Sequence, residues 1–525
     1  MKKLIALAFA FVLATTTIAS ADPATDAKLQ AMQAQLDAVM AQLAALKAQQ
    51  AAAAAAAAAK PAAPVVPVPP KAPDASFIQL VKGDTVTLLI GGEPVTLYGN
   101  LDLSWDHVTK GFNSAPLNTD AVGNTSYLSA ISSNQSYFGV RGLHRTGKKS
   151  GVLYQLETEL SVSSTSGTVN TNSNNDGIVK GGLTSRNSFL GVLTPSGAFK
   201  IGKSDAPYKI ATARMNPFLG ELGDYAVVMG NTGGDNRVEF GTRLDHALWY
   251  ESPNMHGVTL NVLVSPGQNR AFDNSNIPSG EAGCAGGNLP GSGALPPACN
   301  DGSWGAIYSG SLNYQAKKLY FTTAYELHKQ VNRSSDIADP VLAALDVGDE
   351  EAWKFGAQYA FSKNTLLSAI YENMHRYVPA AIQYQNERTR DGFWLALTQN
   401  LNEKNNVNFG WARANPSPGD PGQHNTSGGF SPDNMANLYT FAFKHAIDRH
   451  VLWYFDWALT LNHRDAHYDL GAGGRGLTTD CHDASTLAAF DPTANGGAGG
   501  VTGNGPHCYA GGRLQGFSTG LDLRF

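Results

Sequence analysis

The chain is short of charge, of cysteine and of long apolar runs. Its one sustained apolar stretch lies at the start, where Lys2-Lys3, an apolar run from Leu4 to Leu13 and then Ala19-Ser20-Ala21 follow the order of a secretory signal peptide cleaved after Ala21. A spanning helix needs about 20 continuous apolar residues, and Thr15-Thr16-Thr17 interrupts this one too early. No later segment reaches that length, so a mature chain that spans a membrane does so with strands. Charged residues make up only 15% of the sequence. Removing Lys2 and Lys3 from 38 basic residues leaves 36 against 43 acidic ones, a net charge near −7 with no basic stripe for nucleic acid.

Four cysteines fall in two loop-like stretches, Cys284 with Cys299 and Cys481 with Cys508. Export makes two local disulfides the expectation. No pair has the C-x₂-C spacing with matching histidines that a metal site favours. His482 and His507 flank the second pair, where solvated loop histidines are the expected reading. Catalytic patterns are missing too: there is no H-E-x-x-H, no G-x-S-x-G elbow and no phosphate-binding loop. The expectation is a non-enzyme without cofactor or metal.

What is present is periodic. Leu29, Met32, Leu36, Val39, Leu43 and Leu46 alternate steps of three and four, a short heptad seam on an otherwise polar helix. About three heptads are marginal alone, so the seam predicts a coiled coil concentrated by some larger assembly. An alanine tract from Ala51 to Ala59 and a proline-rich spacer from Pro61 to Pro73 follow. The expected organisation is a signal peptide at 1–21, a coil at 22–59, a linker at 60–76 and a strand domain at 77–525.

From Val95 the period becomes two. Val95, Leu97, Leu101, Leu103 and Trp105 alternate with Thr96, Tyr98, Asn100, Asp102 and Ser104, giving one apolar and one wet face. Such segments recur from 95–107 to 514–525, about sixteen in all, an even number as closed membrane barrels require. Short turns recur at one end of the candidate hairpins: Thr146–Ser150, Pro195–Gly197, Ser252–His256, Gln315–Lys318, Ser362–Thr365, Asn402–Asn406 and Asp448–His450. Long Gly-, Asn-, Asp- and Pro-rich loops stand between them. In the last segment Phe517, Leu521, Leu523 and terminal Phe525 alternate with polar residues, like the assembly signal of outer-membrane barrels. Trp105, Tyr308, Tyr314, Tyr320, Trp394 and Trp453 are expected at strand ends or outer faces, as interfacial girdles.

From Leu97 to Phe525 the chain resembles the trimeric general porins of Gram-negative bacteria. The likeness rests on Leu97-Tyr98-Gly99, on Tyr137-Phe138-Gly139-Val140-Arg141-Gly142, on Arg186-Asn187-Ser188-Phe189-Leu190-Gly191, and on Arg243 to Pro253. The segment after Ile201-Gly202-Lys203, about 204–236, looks like the family's inward-folded third loop, and Asn216 to Asp224 like its acidic tip. The resemblance implies an all-β, 16-stranded antiparallel transmembrane β-barrel, preceded here by a short α-helical coiled coil. It implies passive diffusion of small hydrophilic solutes and ions, a homotrimer, contact with outer-membrane lipid, and handling by the barrel assembly machinery.

By the same resemblance, Glu221 and Asp224 face Arg186 and Arg243 across the lumen. Alternation is expected to support this, with Phe189 and Leu244 outward, and to turn Lys200 and Arg141 inward as part of a basic ladder. Opposed walls of charge would set a transverse field that favours polar over apolar solutes. Asn100 and Tyr137 stand where the best-known members carry basic side chains, which thins the expected positive wall. Two further readings stay open: a channel selective for phosphate or sugar, and a barrel that anchors a peptidoglycan-binding coil.

Overall fold

The computed structural model describes residues 78–81, 86–90, 92–109, 127–160, 162–163, 186–229, 240–266, 305–332, 340–343, 345, 347–386, 388–419, 433–463, 466, 468, 470–471, 490–491, 500–501 and 513–525. The heptad seam, the proline spacer and all four cysteines lie outside the described residues. Chain contacts separate Met1–Ala75 from Ser76–Phe525, and the description below concerns the second unit.

In chain order the strands are β1 (Ile78–Val81), β2 (Val86–Ile90), β3 (Glu93–Thr109), β4 (Tyr127–Ser133), β5 (Tyr137–Gly147), β6 (Ser150–Glu159), β7 (Ser188–Thr194), β8 (Gly197–Asp205), β9 (Arg243–Glu251) and β10 (Val258–Pro266). Then come β11 (Ala306–Gln315), β12 (Leu319–Asn332), β13 (Val347–Ala360), β14 (Thr365–Arg376), β15 (Arg390–Asn400), β16 (Asn405–Ala414), β17 (Ala436–Ala446) and β18 (Val451–Asn462). A two-residue pair, β19 (Phe490–Asp491) with β20 (Gly500–Val501), precedes the last strand, β21 (Arg513–Arg524).

Nineteen of these strands join one sheet. Strands β1 and β2 are an N-terminal hairpin laid on the start of β3. Strands β4 and β5 both pair with β3 and are two halves of one stave, broken at Asn134–Ser136, where Gln135 takes φ 55°. Sixteen staves therefore remain. Each pairs antiparallel with its sequence neighbour, and β21 pairs with β3 from Gly516↔Val108 to Arg524↔Asn100, closing the ring without an edge. Phe525 completes the seam: its N–H donates to the Gly99 carbonyl (3.2 Å), and the Gly99 N–H donates to the Phe525 carbonyl (2.9 Å). All seven short turns join the staves where the sequence placed them.

The exposure pattern is that of a barrel in lipid. On β13, Trp353, Phe355 and Tyr359 are each about two-fifths exposed, while Ala352, Lys354, Gly356 and Gln358 between them are buried. Large apolar side chains point out and polar ones point in, the reverse of a water-soluble sandwich. Trp105, Tyr308, Tyr314 and Trp453 follow the rule, being 37–48% exposed on the outer face. Tyr320 (9%) and Trp394 (0%) do not, because they occupy inward positions of β12 and β15 and hold an internal segment. The girdle expectation fails for these two.

Candidate functional site: the lumen and the segment folded into it

After β8 the chain turns into the barrel instead of away from it. A short helix, α1 (Pro207–Ala213), begins with a proline whose missing N–H costs nothing at that position. Tyr208 and Ala211 bury against Leu244, Trp249, Leu263, Ile307 and Met374 on the inner wall. The wall also grips the backbone: Ser309 Oγ accepts from the Tyr208 N–H (3.1 Å), and Tyr320 Oη donates to the Ala211 carbonyl (2.7 Å).

From Met215 to Met229 the segment runs over a smooth wall. Ala396, Ala412, Ala414, Ala436, Ala442 and Ala458 face inward there, and Phe218, Leu222, Val228 and Met229 fill the space these small residues leave. Trp394 is the central anchor. Its ring meets Phe218 edge-on at 6.1 Å and lies tilted against Tyr225 at 5.2 Å, and its Nε1 donates to the Met215 carbonyl (3.1 Å). Gly410 makes room for it, since a Cβ there would sit 2.1 Å from the indole. Burial holds the Tyr225 hydroxyl in its neutral form, well above the usual phenol range.

Both carboxylates of the tip have defined partners. Asp224 serves its own loop, accepting from Asn216 Nδ2 (2.7 Å) and from the backbone N–H groups of Gly220 (2.9 Å) and Ala226 (3.0 Å). It thereby caps the 3₁₀ turn Tyr225–Val227. Glu221 pairs with Lys444 of β17, which also donates to the Pro217 carbonyl (2.7 Å). Burial pushes the Glu221 carboxyl above its ordinary range, and Lys444 opposes that shift. Residues beyond β18 hold the tip as well, since the Gly223 N–H donates to the Leu470 carbonyl (2.9 Å) and Leu222 bridges Gly471.

The basic residues have partners of their own. Arg186 Nε donates to Glu157 Oε1 (2.6 Å) and its guanidinium covers the Tyr137 ring at 4.8 Å. Arg243 donates to Asn187 Oδ1 (2.9 Å) and pairs with Asp205 (3.2 Å). Lys200 pairs with Glu251 at 2.7 Å to both carboxylate oxygens and lies over Phe189 at 4.6 Å. Arg141 covers the Tyr98 ring at 4.8 Å. The two tip carboxylates and the four cations are thus in separate clusters.

Alternation holds for Lys200 but not for Phe189 and Leu244. Lys200 is inward as expected, between exposed Phe199 and Ile201. Leu190 and Val192 are the exposed residues of β7, so Phe189 points inward, against Trp249. Leu244 is fully buried against α1, because β9 carries a register shift opposite Gly202/Ser204 and a left-handed His246 (φ 54°) that reset its phase. Neither residue faces outward. Lys444, Lys209 and Arg214 also enter the site without having been picked out, and Trp394 enters it after being expected on the outer face. Lys444 carried a readable signal, as a lysine in phase with inward Leu438, Thr440 and Ala442 and out of phase with Phe441 and Phe443.

The strands form a closed sixteen-stave ring, apolar outside and charged inside, and a family profile described as Gram-negative porin matches residues 43–465. The chain belongs to the Gram-negative porins. It is an outer-membrane channel for passive diffusion. No curated protein matches it by sequence. Among solved structures, the anion-selective porin from Comamonas acidovorans is similar in fold, with 16% identity and a TM-score of 0.52 over 82% of this chain and 100% of that one. OmpF of Salmonella typhi matches at 12% identity and a TM-score of 0.48, covering 83% and 98% of the two chains. OmpT of Vibrio cholerae gives 11%, 0.46, 85% and 100%.

Proposed function

We propose that this porin's passage is narrowed by the segment from Ala206 to Met229, held against the wall rather than swinging free. The observation that supports this reading most is the anchoring of the segment at both ends of its path: Tyr320 and Ser309 grip α1, and Trp394 and Lys444 grip the tip. Solutes then pass on the side where Arg141, Arg186, Lys200 and Arg243 line the wall. Diffusion through such a gap needs no energy source and sorts solutes by size and charge.

Planar-bilayer recordings test this. Conductance steps that scale with salt concentration, and that grow when Ala206–Met229 is shortened, are the expected result. Unchanged steps in the shortened variant would overturn the constriction assignment.

The same reading covers the termini and the assembly. The chain functions as a homotrimer, with residues 1–21 removed on export and the seam Leu29, Met32, Leu36, Val39, Leu43 and Leu46 associating in the periplasm. Cys284–Cys299 and Cys481–Cys508 form two local disulfides, checked by peptide mapping without reductant. The barrel assembly machinery reads the strand ending at Phe525. Deleting Leu29 to Pro73 leaves conductance intact; loss of envelope attachment in that variant would add a peptidoglycan-tethering role.

A further inference from the structure

We propose that the passage prefers small anions, and that Arg214, together with Arg141, sets that preference. The inference rests on the diffusion-channel reading and adds the sign of charge to it.

The internal charges divide by whether water reaches them. Most of the described carboxylates on the inner wall are sequestered. Glu221 and Asp224 of the tip are buried, as are Asp102, Asp106, Asp456 and Asp522 on the inner wall of β3, β18 and β21 and Glu157 beneath Arg186. Among the described residues, Glu159, Asp205 and Glu251 are less covered, and Glu251, with 40% of its side chain exposed, gives both oxygens to Lys200. A carboxylate neutralised by its own cation, as Glu221 is by Lys444, Glu157 by Arg186 and Asp522 by Arg524, adds little net charge to the passage.

Several cations are left in the water. Arg214, one residue past α1, is exposed, and its described partners are all neutral: Gln315 Oε1 at 2.6 Å, Gln358 Oε1 at 3.1 Å, and the Tyr320 ring under the guanidinium at 4.3 Å. The two amides and the ring fix its orientation without neutralising it, and a guanidinium stays charged throughout the accessible pH range. Arg141 is exposed in the same way, with its guanidinium on the Tyr98 ring. Asp205 is shared by two cations, Lys209 at 2.9 Å and Arg243 at 3.2 Å, so that cluster carries one surplus positive charge. Among its described residues, the water-facing surface of the internal segment includes Lys209, Ile210, Arg214 and Leu219, and no carboxylate. Positive charge against low-dielectric walls raises the local concentration of anions and lowers that of cations.

The test is the reversal potential of the full-length porin in a potassium chloride gradient. The wild type is expected to show anion preference that weakens at high salt. Arg214→Gln should lower the chloride-over-potassium permeability ratio several-fold, Arg141→Gln should lower it further in the double variant, and Arg214→Lys should retain it, which separates charge from folding. Exposed Lys148→Gln in the β5–β6 turn should leave the ratio unchanged. A wild type that prefers cations, or a double variant that conducts with an unaltered ratio, overturns the inference while leaving the channel reading intact. Wild-type protein that inserts but passes no current defeats the channel reading itself, and the inference with it.

Discussion

Lys444 Nζ lies 2.5 Å from Glu221 Oε2, a lysine from the wall meeting an acid from the segment inside the barrel. Both side chains are largely buried, 13% and 6% exposed. Attraction inside such a site compensates for lost hydration only while both partners are present.

The first prediction follows. Lys444→Met leaves Glu221 buried beside an apolar chain and should cost about 3–5 kcal/mol, the usual range for breaking a buried pair. The double variant Lys444→Met/Glu221→Leu should recover most of that. Denaturant unfolding of the reconstituted barrel measures both, and a double variant as unstable as the single one would show that the pair does not pin the tip.

Trp394 supports the same segment from β15. Trp394→Ala removes the surface on which Phe218 and Tyr225 pack and the donor to the Met215 carbonyl. A loss of roughly 3–5 kcal/mol is the scale for a buried tryptophan, but here it should fall on the segment and not on the ring. Strand content by circular dichroism should stay level while open-channel current noise rises. Reduced strand content with quiet channels would place Trp394 in the service of the wall instead.

The staves were legible in the sequence because lipid and water impose opposite demands on alternate residues, and the seven tight turns carried their own chemistry. The destination of the internal segment was half legible. Phe218, Leu222 and Met229 announce a buried stretch, but what buries them is a run of alanines on four different strands, which no local pattern brings together. Alternation also fails where its phase is reset. Leu244 sits beyond the His246 irregularity, so counting back from Leu248 gives the wrong face. Charge partners were least legible of all, since Lys444 and Glu221 are 223 residues apart and meet only once the ring has closed.

A pH effect is expected at the turn joining β17 and β18, outside the spanning strands. Asp448 Oδ1 accepts the N–H groups of His450 (2.7 Å) and Val451 (2.8 Å), and these bonds hold its carboxyl below the ordinary range. A depressed acid stabilises the fold above its unfolded value of about 3.9, and that contribution is lost as pH falls through the lower folded value. Asp448→Ala should therefore be less stable than the wild type near neutrality and converge with it in acid. Parallel stability curves for the two proteins from about pH 6 down to about pH 2 would remove Asp448 from the account.

The last prediction sets one glycine against another. Gly223 (φ 86°) brings the tip so close to β17 that a Cβ would sit 2.1 Å from Thr440 Oγ1. Gly92, before β3, has nearly the same backbone angle (φ 90°) and nothing within 4 Å of that position. Gly92→Ala thus meets only the left-handed backbone penalty, roughly 1–2 kcal/mol. Gly223→Ala meets that penalty and a collision with a wall residue that the closed ring keeps from retreating. The second substitution should be clearly the more destabilising in urea, and it alone should alter channel noise, because only it disturbs the seat of the internal segment. Equal losses from the two would mean that the tip can lift from the wall at little cost, which would leave Lys444 and Trp394 with nothing to hold in place.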